Sequence, residues 1–467
     1  MSSRRSAVKA IESEYEGASF EDARLTKRAP RIAGQWAADP TASIPQLAPD
    51  DAELEATYRF LGNTKVTPRR ILAPHVAATA RRAKECGTIR VAHDTTDFVF
   101  SGDREGLGAV MRETKGFFLH PALAVSGDED AMPLGVLAFK EYTRADARVA
   151  ELNARKLAVR KTPRKQKESA RWEEVAFAAQ DALPPEVRAI HVMDQEADDY
   201  VLLAALVSRG LSFVVRGSAD RLLEPRGESV AEALTGRQIR IFREIPVEAR
   251  KRDRSEKNRK SHPPRSAHVA KLSVRATQIV LHRPQHAVCD VESLSLNVVQ
   301  VLERNPPEGE DPITWTLFTS EPIKTAKDIA AIVDHYRARG KIEEFFKALK
   351  TGCAVQARQL TSLHALSNAL ALSIPIAWRL LLLRSLARRD DETPASGIFK
   401  PWQLRLLRAI SRRVVVPEKP TVRDVLLAIA GLGGHLRRNG EPGWIVLSRG
   451  FSAFVSAEAT WIAMKSA

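Results

Sequence analysis

The stretch from Thr88 to Arg216 constrains the fold more than any other part of the chain. Short runs rich in β-branched and aromatic residues, Ile89 to Ala92, Phe98 to Phe100, Phe117 to Val125 and Leu134 to Glu141, succeed one another with no helical period between them. Three or four antiparallel strands are expected there. A helical stretch from Trp172 to Ala182, a strand from Val187 to Met193, a helix from Ala197 to Val207 and a strand from Ser212 to Arg216 follow. The order βββ-α-β-α-β is that of a mixed α/β sheet.

The flanking segments read differently. Phe20 to Gln35 is basic and mixed, Pro40 to Pro49 is a proline-interrupted connector, and Asp50 to Phe60 and Pro68 to Lys84 are helical. Beyond Arg216, apolar and polar residues alternate again from Ile239 to Val301, which predicts an inserted antiparallel β region, and Trp315 to Thr319 predicts a last strand. From there the chain is almost all helical, including Trp402 to Ile410 and Val422 to Leu432. The organisation expected is a helical N-terminal domain over 1–70, an α/β domain over 71–360 with a β insertion at about 220–310, and a helical C-terminal domain over 361–467. Two basic stretches, Arg155 to Lys167 and Arg250 to Arg265, read as solvated loops that could also touch phosphates.

Charge narrows the function. The 467 residues carry 72 Lys plus Arg against 57 Asp plus Glu, a net charge of +15, which points to a polyanionic partner, nucleic acid before membrane. Cys86, Cys289 and Cys353 are too few and too scattered for a disulfide framework or a CxxC zinc site, which fits a reducing cytoplasm. No secretory signal is expected after Met1, because Glu12, Glu14 and Glu16 stand where an apolar run would be. The apolar run from Leu363 to Leu383 carries His364, Asn368, Ser373, Pro375 and Arg379, so it reads as a buried or dimer-forming helix rather than a bilayer span. HExxH, GxSxG and P-loop motifs are missing, and the glycines of Gly102 to Gly108 open no helix that could cradle a nucleotide; that loop reads as a DNA-facing connection.

Three acidic residues are candidates for a metal site. Asp94 ends the first strand, Asp194 ends a later one, and Glu343 lies in a helix beyond the insertion. Carboxylates at the ends of nearby strands converge, and such hard oxygen ligands suit Mg²⁺ or Mn²⁺. Offsets of 3, 7 and 14 residues from Tyr336 place Arg339, Glu343 and Lys350 within about 60° of one another on an ideal helix, while Gly340 marks a potential break before Glu343. The alternative for the same residues is structural: Tyr336 in the core, and Arg339 with Lys350 paired to Glu344 or Asp334.

The text around these residues carries a resemblance. His93-Asp94-Thr95-Thr96, Asp194-Gln195-Glu196-Ala197-Asp198 and Tyr336-x2-Arg339-x3-Glu343-x6-Lys350 resemble the three signatures of IS4-family DDE transposases. Tyr58-Arg59-Phe60-Leu61, Phe213-Val214-Val215-Arg216 and Trp315 extend the likeness over nearly the whole chain. Gln195 departs from the family's usual Arg, and Gly340 from a bulkier residue.

The resemblance implies an RNase H-like catalytic core with a β-rich insertion and a cut-and-paste transposase that uses no nucleotide cofactor and no membrane. Asp94, Asp194 and Glu343 would be the catalytic metal ligands, holding two Mg²⁺ or Mn²⁺ ions in each active site; Tyr336, Arg339, Lys350 and Arg216 would hold phosphates, and Trp315 would stack on a flipped base of a hairpin intermediate. Arg24, Lys27 and Arg28 are candidates for binding the inverted-repeat ends, although solvation explains those charges as well. A homodimer would pair two ends and join them to target double-stranded DNA in a bacterial cytoplasm, at the nucleoid. A metal-dependent nuclease without strand transfer and a catalytically inactive DNA-binding regulator are the alternatives.

Overall fold

The computed structural model describes residues 11–111, 114–144, 167–224, 227–250, 263–388, 393–397, 399–436, 438 and 440–466. The chain divides into two compact units, one made of residues 1–188 and 340–467 and the other of 189–339. Both are mixed α/β or sheet-and-helix structures, in keeping with the class read from the strand and helix order.

In the first unit, α1 (Ala23–Ala38), α2 (Asp51–Gly62) and α3 (Pro68–Cys86) precede five strands: β1 (Thr88–His93), β2 (Thr96–Phe100), β3 (Gly108–Met111), β4 (Thr114–Ser126) and β5 (Pro133–Tyr142). β4 is the hub. It pairs antiparallel with β2 and then β1 along one edge, and with β3 and β5 along the other. Gly116 is required there, since a Cβ would lie 1.9 Å from the Phe98 carbonyl oxygen. After β5 comes α4 (Ala170–Asp181).

The same unit takes in the C-terminal helices α8 (Gly340–Lys347), α9 (Leu363–Arg388), α10 (Pro401–Ile410), α11 (Val422–Leu432) and α12 (Trp444–Ser466). α9 is long and apolar enough to cross a membrane, yet 94% of its most apolar window is buried inside the fold. Its polar positions have partners. Asn368 donates to the carbonyls of Leu61 and Val66 at 2.9 and 3.0 Å, the His364 ring lies 3.0 Å from the Asn63 carbonyl, and the Trp378 indole donates to Pro133 at 3.0 Å. The loop from Gly102 to Gly108 is tied to the approach to α9 rather than left free. Arg104 donates to the carbonyls of Arg358 and Leu360, and Glu105 exchanges backbone bonds with Thr361 and Leu363. Residues 155–166 and 251–262 of the two basic stretches lie outside the described residues, while Arg250 and Arg265 exchange two backbone hydrogen bonds.

The second unit contains β6 (Arg188–Met193), which begins at the boundary, then α5 (Tyr200–Ser208), β7 (Ser212–Arg216), α6 (Val230–Leu234), β8 (Ile241–Val247), β9 (His268–His282), β10 (Ser293–Arg304), β11 (Thr314–Thr319) and α7 (Ala326–Ala338). β6 and β7 are parallel, joined by α5 as a crossover. The remaining pairs, β7 with β11, β11 with β10, β10 with β9 and β9 with β8, are antiparallel, so the inserted region predicted from alternation is present. One face packs on α7, burying Leu272, Val274, Val299, Val301 and Leu317 against Ile329, Ile332 and Val333.

A buried charge cluster locks the start of the first unit to its sheet. Glu14 accepts from Arg82 at 2.7 and 3.2 Å and from the His75 Nδ1 at 2.6 Å, while His75 Nε2 accepts from the Val136 N–H at 3.1 Å. Those bonds leave His75 neutral, with its proton on Nδ1. A Cβ at Gly135 would lie 2.0 Å from the Thr79 hydroxyl, so glycine lets β5 approach this cluster. Burial alone would raise the Glu14 pKa, but the bonds from His75 and Arg82 outweigh it and hold the group at about 2 instead of 4.5. Burial pushes His75 below its ordinary 6.5.

Both shifts act in one direction, because the unfolded chain binds these protons more tightly. Stability should fall as pH drops below about 6.5, and fall further from pH 4.5 towards 2. Glu14→Gln should cost about 3 kcal/mol at neutral pH, because it leaves Arg82 buried without its carboxylate, and should flatten the acid limb; urea melts across pH check both. Ending the chain after Arg358 removes α9, so circular dichroism of that fragment should show the first unit unfolded.

Candidate functional site

Two of the three candidate ligands, Asp94 and Asp194, sit where a strand stops. Asp94 follows the last residue of β1, and its Oδ1 accepts from the Thr95 N–H at 2.7 Å. Behind it runs a short, half-buried chain: Arg171 Nε donates to the Thr95 hydroxyl at 3.0 Å, and that hydroxyl lies 2.9 Å from His120 Nδ1. Burial followed by the nearby Arg171 charge lowers the His120 pKa well below 6.5, which keeps the ring neutral. His93 stacks on His120 with ring centroids 5.9 Å apart, so the strand end rests on a packed aromatic floor.

Glu343 lies in α8, which packs against β1, so Asp94 and Glu343 belong to one unit. It is exposed on the face opposite Ile342, Phe345 and Phe346, which are buried. Asp194 belongs to the second unit. It follows β6 and caps a single 3-10 turn, Gln195–Ala197, by accepting from the Glu196 N–H at 2.9 Å. Among the described residues, no three His, Cys, Asp or Glu side chains form a group that could hold a metal ion. The donor chemistry of Asp94, Asp194 and Glu343 nevertheless fits a hard divalent cation, since all three offer carboxylate oxygen.

The second unit brings several other candidates to one face of its sheet. In the parallel pair, Met193 stands opposite Val215, which sets Asp194 beside Arg216 at the matching strand ends. Arg216 stands opposite Leu317, two residues from Trp315 on the same face. Trp315 is half-buried and meets Tyr336 edge to face, with centroids 5.2 Å apart and planes at 62°. Tyr336 is buried with the α7 cluster, as the structural alternative had it. Arg339 caps α7.

The single-helix arrangement of Tyr336, Arg339, Glu343 and Lys350 is corrected by the structure. α7 ends at Ala338 and α8 begins at Gly340, so the helix is interrupted at Arg339, next to the glycine, which itself starts α8. Lys350 falls in a π-helical turn, Ala348–Gly352, where the 100° step no longer applies. Its amine pairs with Asp97 at 3.0 Å and lies 5.7 Å from the Phe98 ring centroid. Lys350 therefore pairs with neither Glu344 nor Asp334; Glu344 binds Arg384 and Arg388, and Asp334 binds Arg243 and Arg337.

On α1, Arg24, Lys27, Arg28 and Arg31 share the face opposite buried Ala29, Ile32, Ala33 and Trp36. Arg24 pairs with Asp22 at 3.1 Å, and Arg28 and Arg31 share Glu53 at 3.8 and 3.1 Å. Lys27 is exposed and has no carboxylate partner among the described residues.

With this geometry in view, the comparisons are specific. Residues 7–66 match the Transposase DNA-binding family, and residues 148–378 match the Transposase DDE domain. These matches support a DDE transposase family. The transposase DDE domain is RNase H-like, the fold class expected from the sequence, and the matched segment contains Asp194 and Glu343 but not Asp94. Among solved structures, the cryo-EM piggyBac transposase synaptic complex with hairpin DNA aligns at a TM-score of 0.31 and 11% identity. The alignment covers 85% of this chain and 66% of that one, so this chain spans just under two thirds of that protein's length.

Sequence reading missed residues that brace the candidate positions. Asp198, within the second acidic motif, accepts from Ser218, Ala219 and Arg221, tying the turn after β6 to the loop after β7. Asp97, three residues after Asp94, could have been flagged as a partner for a cation; Arg171 has no signal in the sequence at all. Trp315→Ala should lower stability by about 2 kcal/mol through lost packing and the lost Tyr336 contact, measured by chemical denaturation.

Proposed function

We propose that this protein is a cut-and-paste DNA transposase of the IS4 type, similar to the Tn5 transposase, acting as a homodimer on two inverted-repeat ends. The observation that carries the reading is the pairing of a DNA-binding match at the N-terminus with a DDE-domain match that contains two of the three motif carboxylates. The strand-end positions of Asp94 and Asp194, and the packing of α8 on β1, support it.

In this reading Asp94, Asp194 and Glu343 hold two Mg²⁺ or Mn²⁺ ions. Bound divalent ions would supply activation of the attacking oxygen and stabilisation of the leaving 3′-oxygen. Arg216, Arg339 and Lys350 steady the flanking phosphates, Lys350 exchanging Asp97 for DNA. The buried Tyr336 ring orients Trp315, whose open side meets an unstacked base of a hairpin. Hydrolysis frees a 3′-hydroxyl, which attacks the opposite strand; the reopened end then joins target DNA. Arg24, Lys27 and Arg28 contact the ends, with Lys27 the cation most ready to do so.

Asp94→Ala, Asp194→Ala and Glu343→Ala should each abolish cleavage in Mg²⁺ while end binding in gel shifts persists. Wild-type cutting by any one of them would remove that residue from the site. Trp315→Ala should leave first-strand nicking nearly intact and slow hairpin formation about 10- to 100-fold, equivalent to about 1.4 to 2.8 kcal/mol. Denaturing gels that follow nicked, hairpin and double-strand-break products over time read this out, and a parallel fall in all three would return Trp315 to a purely structural role. Products that stop at cleavage, with no joined DNA, would favour a nuclease.

A further inference from the structure

The sheet of the second unit has a second face, turned away from α7. Residues directly opposite one another across β8 to β11 fall there in three rows: Glu244, Lys271 and Arg304; Phe242, Ser273, Leu302 and Thr314; and Arg275, Gln300 and Thr316. Their neighbours along each strand, among them Leu272, Val274, Val301 and Ile313, point into the α7 cluster, so the rows lie on the other face, with Ser273 alone of their residues buried.

This face is built unlike a solvated surface. Phe242 is 66% exposed and Leu302 is 36% exposed, an aromatic and an aliphatic side chain in one row. The Arg304 guanidinium lies 5.6 Å from the Phe242 ring centroid. Lys271 and Arg304 are exposed and Arg275 is half-exposed; among the described residues, none of the three pairs with a carboxylate. Glu244 is the single acidic residue of the rows. Three spacings of about 4.8 Å between four strands, and four residue steps of about 3.4 Å from Lys271 to Arg275, make a patch roughly 14 Å on a side.

We propose that this face binds an unpaired stretch of DNA strand, one base stacked on Phe242 and its phosphates on Lys271, Arg275 and Arg304. Cations around an open aromatic on a sheet suit a single strand, because an unpaired base offers its π-face whereas a base in a duplex is already stacked. The excess of positive charge argues against an apolar protein partner. None of these residues belongs to the cleavage site, so the surface stands whether or not that assignment does.

The full-length protein tests this in EDTA, where no cutting occurs, with fluorescein-labelled oligothymidine followed by anisotropy at several salt concentrations and a random-sequence duplex measured in parallel. Phe242→Ala should weaken oligothymidine binding about tenfold, about 1.4 kcal/mol, and leave duplex binding unchanged; Phe242→Tyr should restore it. The double variant Lys271→Ala and Arg304→Ala should reduce the slope of log K against log salt by about 1.4. Melting temperatures should match the wild type, since all three side chains are exposed. Oligothymidine binding unchanged by Phe242→Ala overturns the proposal, even if the charge variant lowers the salt slope. An equal loss for oligothymidine and duplex overturns it too.

Discussion

The first unit depends on the burial of one helix. α9 is apolar around nearly its whole circumference, so it is stable only when covered on every side. α1, α2, α3 and β5 from the N-terminal half and α11 and α12 from the C-terminal half all pack on it. That requirement makes residues 1–188 and 340–467 one compact body, and it explains why Asn368, His364 and Trp378 must each find a carbonyl. The buried trio Glu14, His75 and Arg82 adds a second tie, with Arg82 also lying over the Trp378 ring at 4.1 Å.

A one-residue helix interruption divides the third acidic motif. Gly340 begins α8 one residue after α7 has ended, and the boundary between the two units falls at the same point. Tyr336 therefore serves the core of one unit while Glu343 sits exposed in the other. Residues that look like one helical face in sequence are distributed between two packing environments. The π turn at Ala348–Gly352 repeats the effect on a smaller scale, directing Lys350 to Asp97.

The insertion gives the second unit a sheet with two different faces. Strict alternation along β9 and β10 sends Val274 and Val301 into the α7 cluster and sends Arg275 and Leu302 the other way. Exposed Phe242 and Leu302 are exceptions to a polar outer face, and the place of Phe242 beside Arg304 makes it informative.

Much of this was legible from local pattern. The strands Ser212–Arg216 and Thr314–Thr319, the helices Pro68–Cys86 and Val422–Leu432, and the inserted β region all follow from apolar periodicity and turn residues, which report which face a residue must bury. The motif text marked Asp94, Asp194 and Glu343, and Gly340 marked a place where the helix could be interrupted, one residue after the interruption observed at Arg339. Tertiary structure alone decided the partners. Nothing in sequence pairs Lys350 with Asp97, 253 residues away, Asn368 with Leu61, or Arg171 with Thr95. Periodicity fixes which side of an element is buried, but the identity of what covers it depends on long-range packing and on satisfying each buried polar atom, and those constraints exist only once the chain has closed on itself.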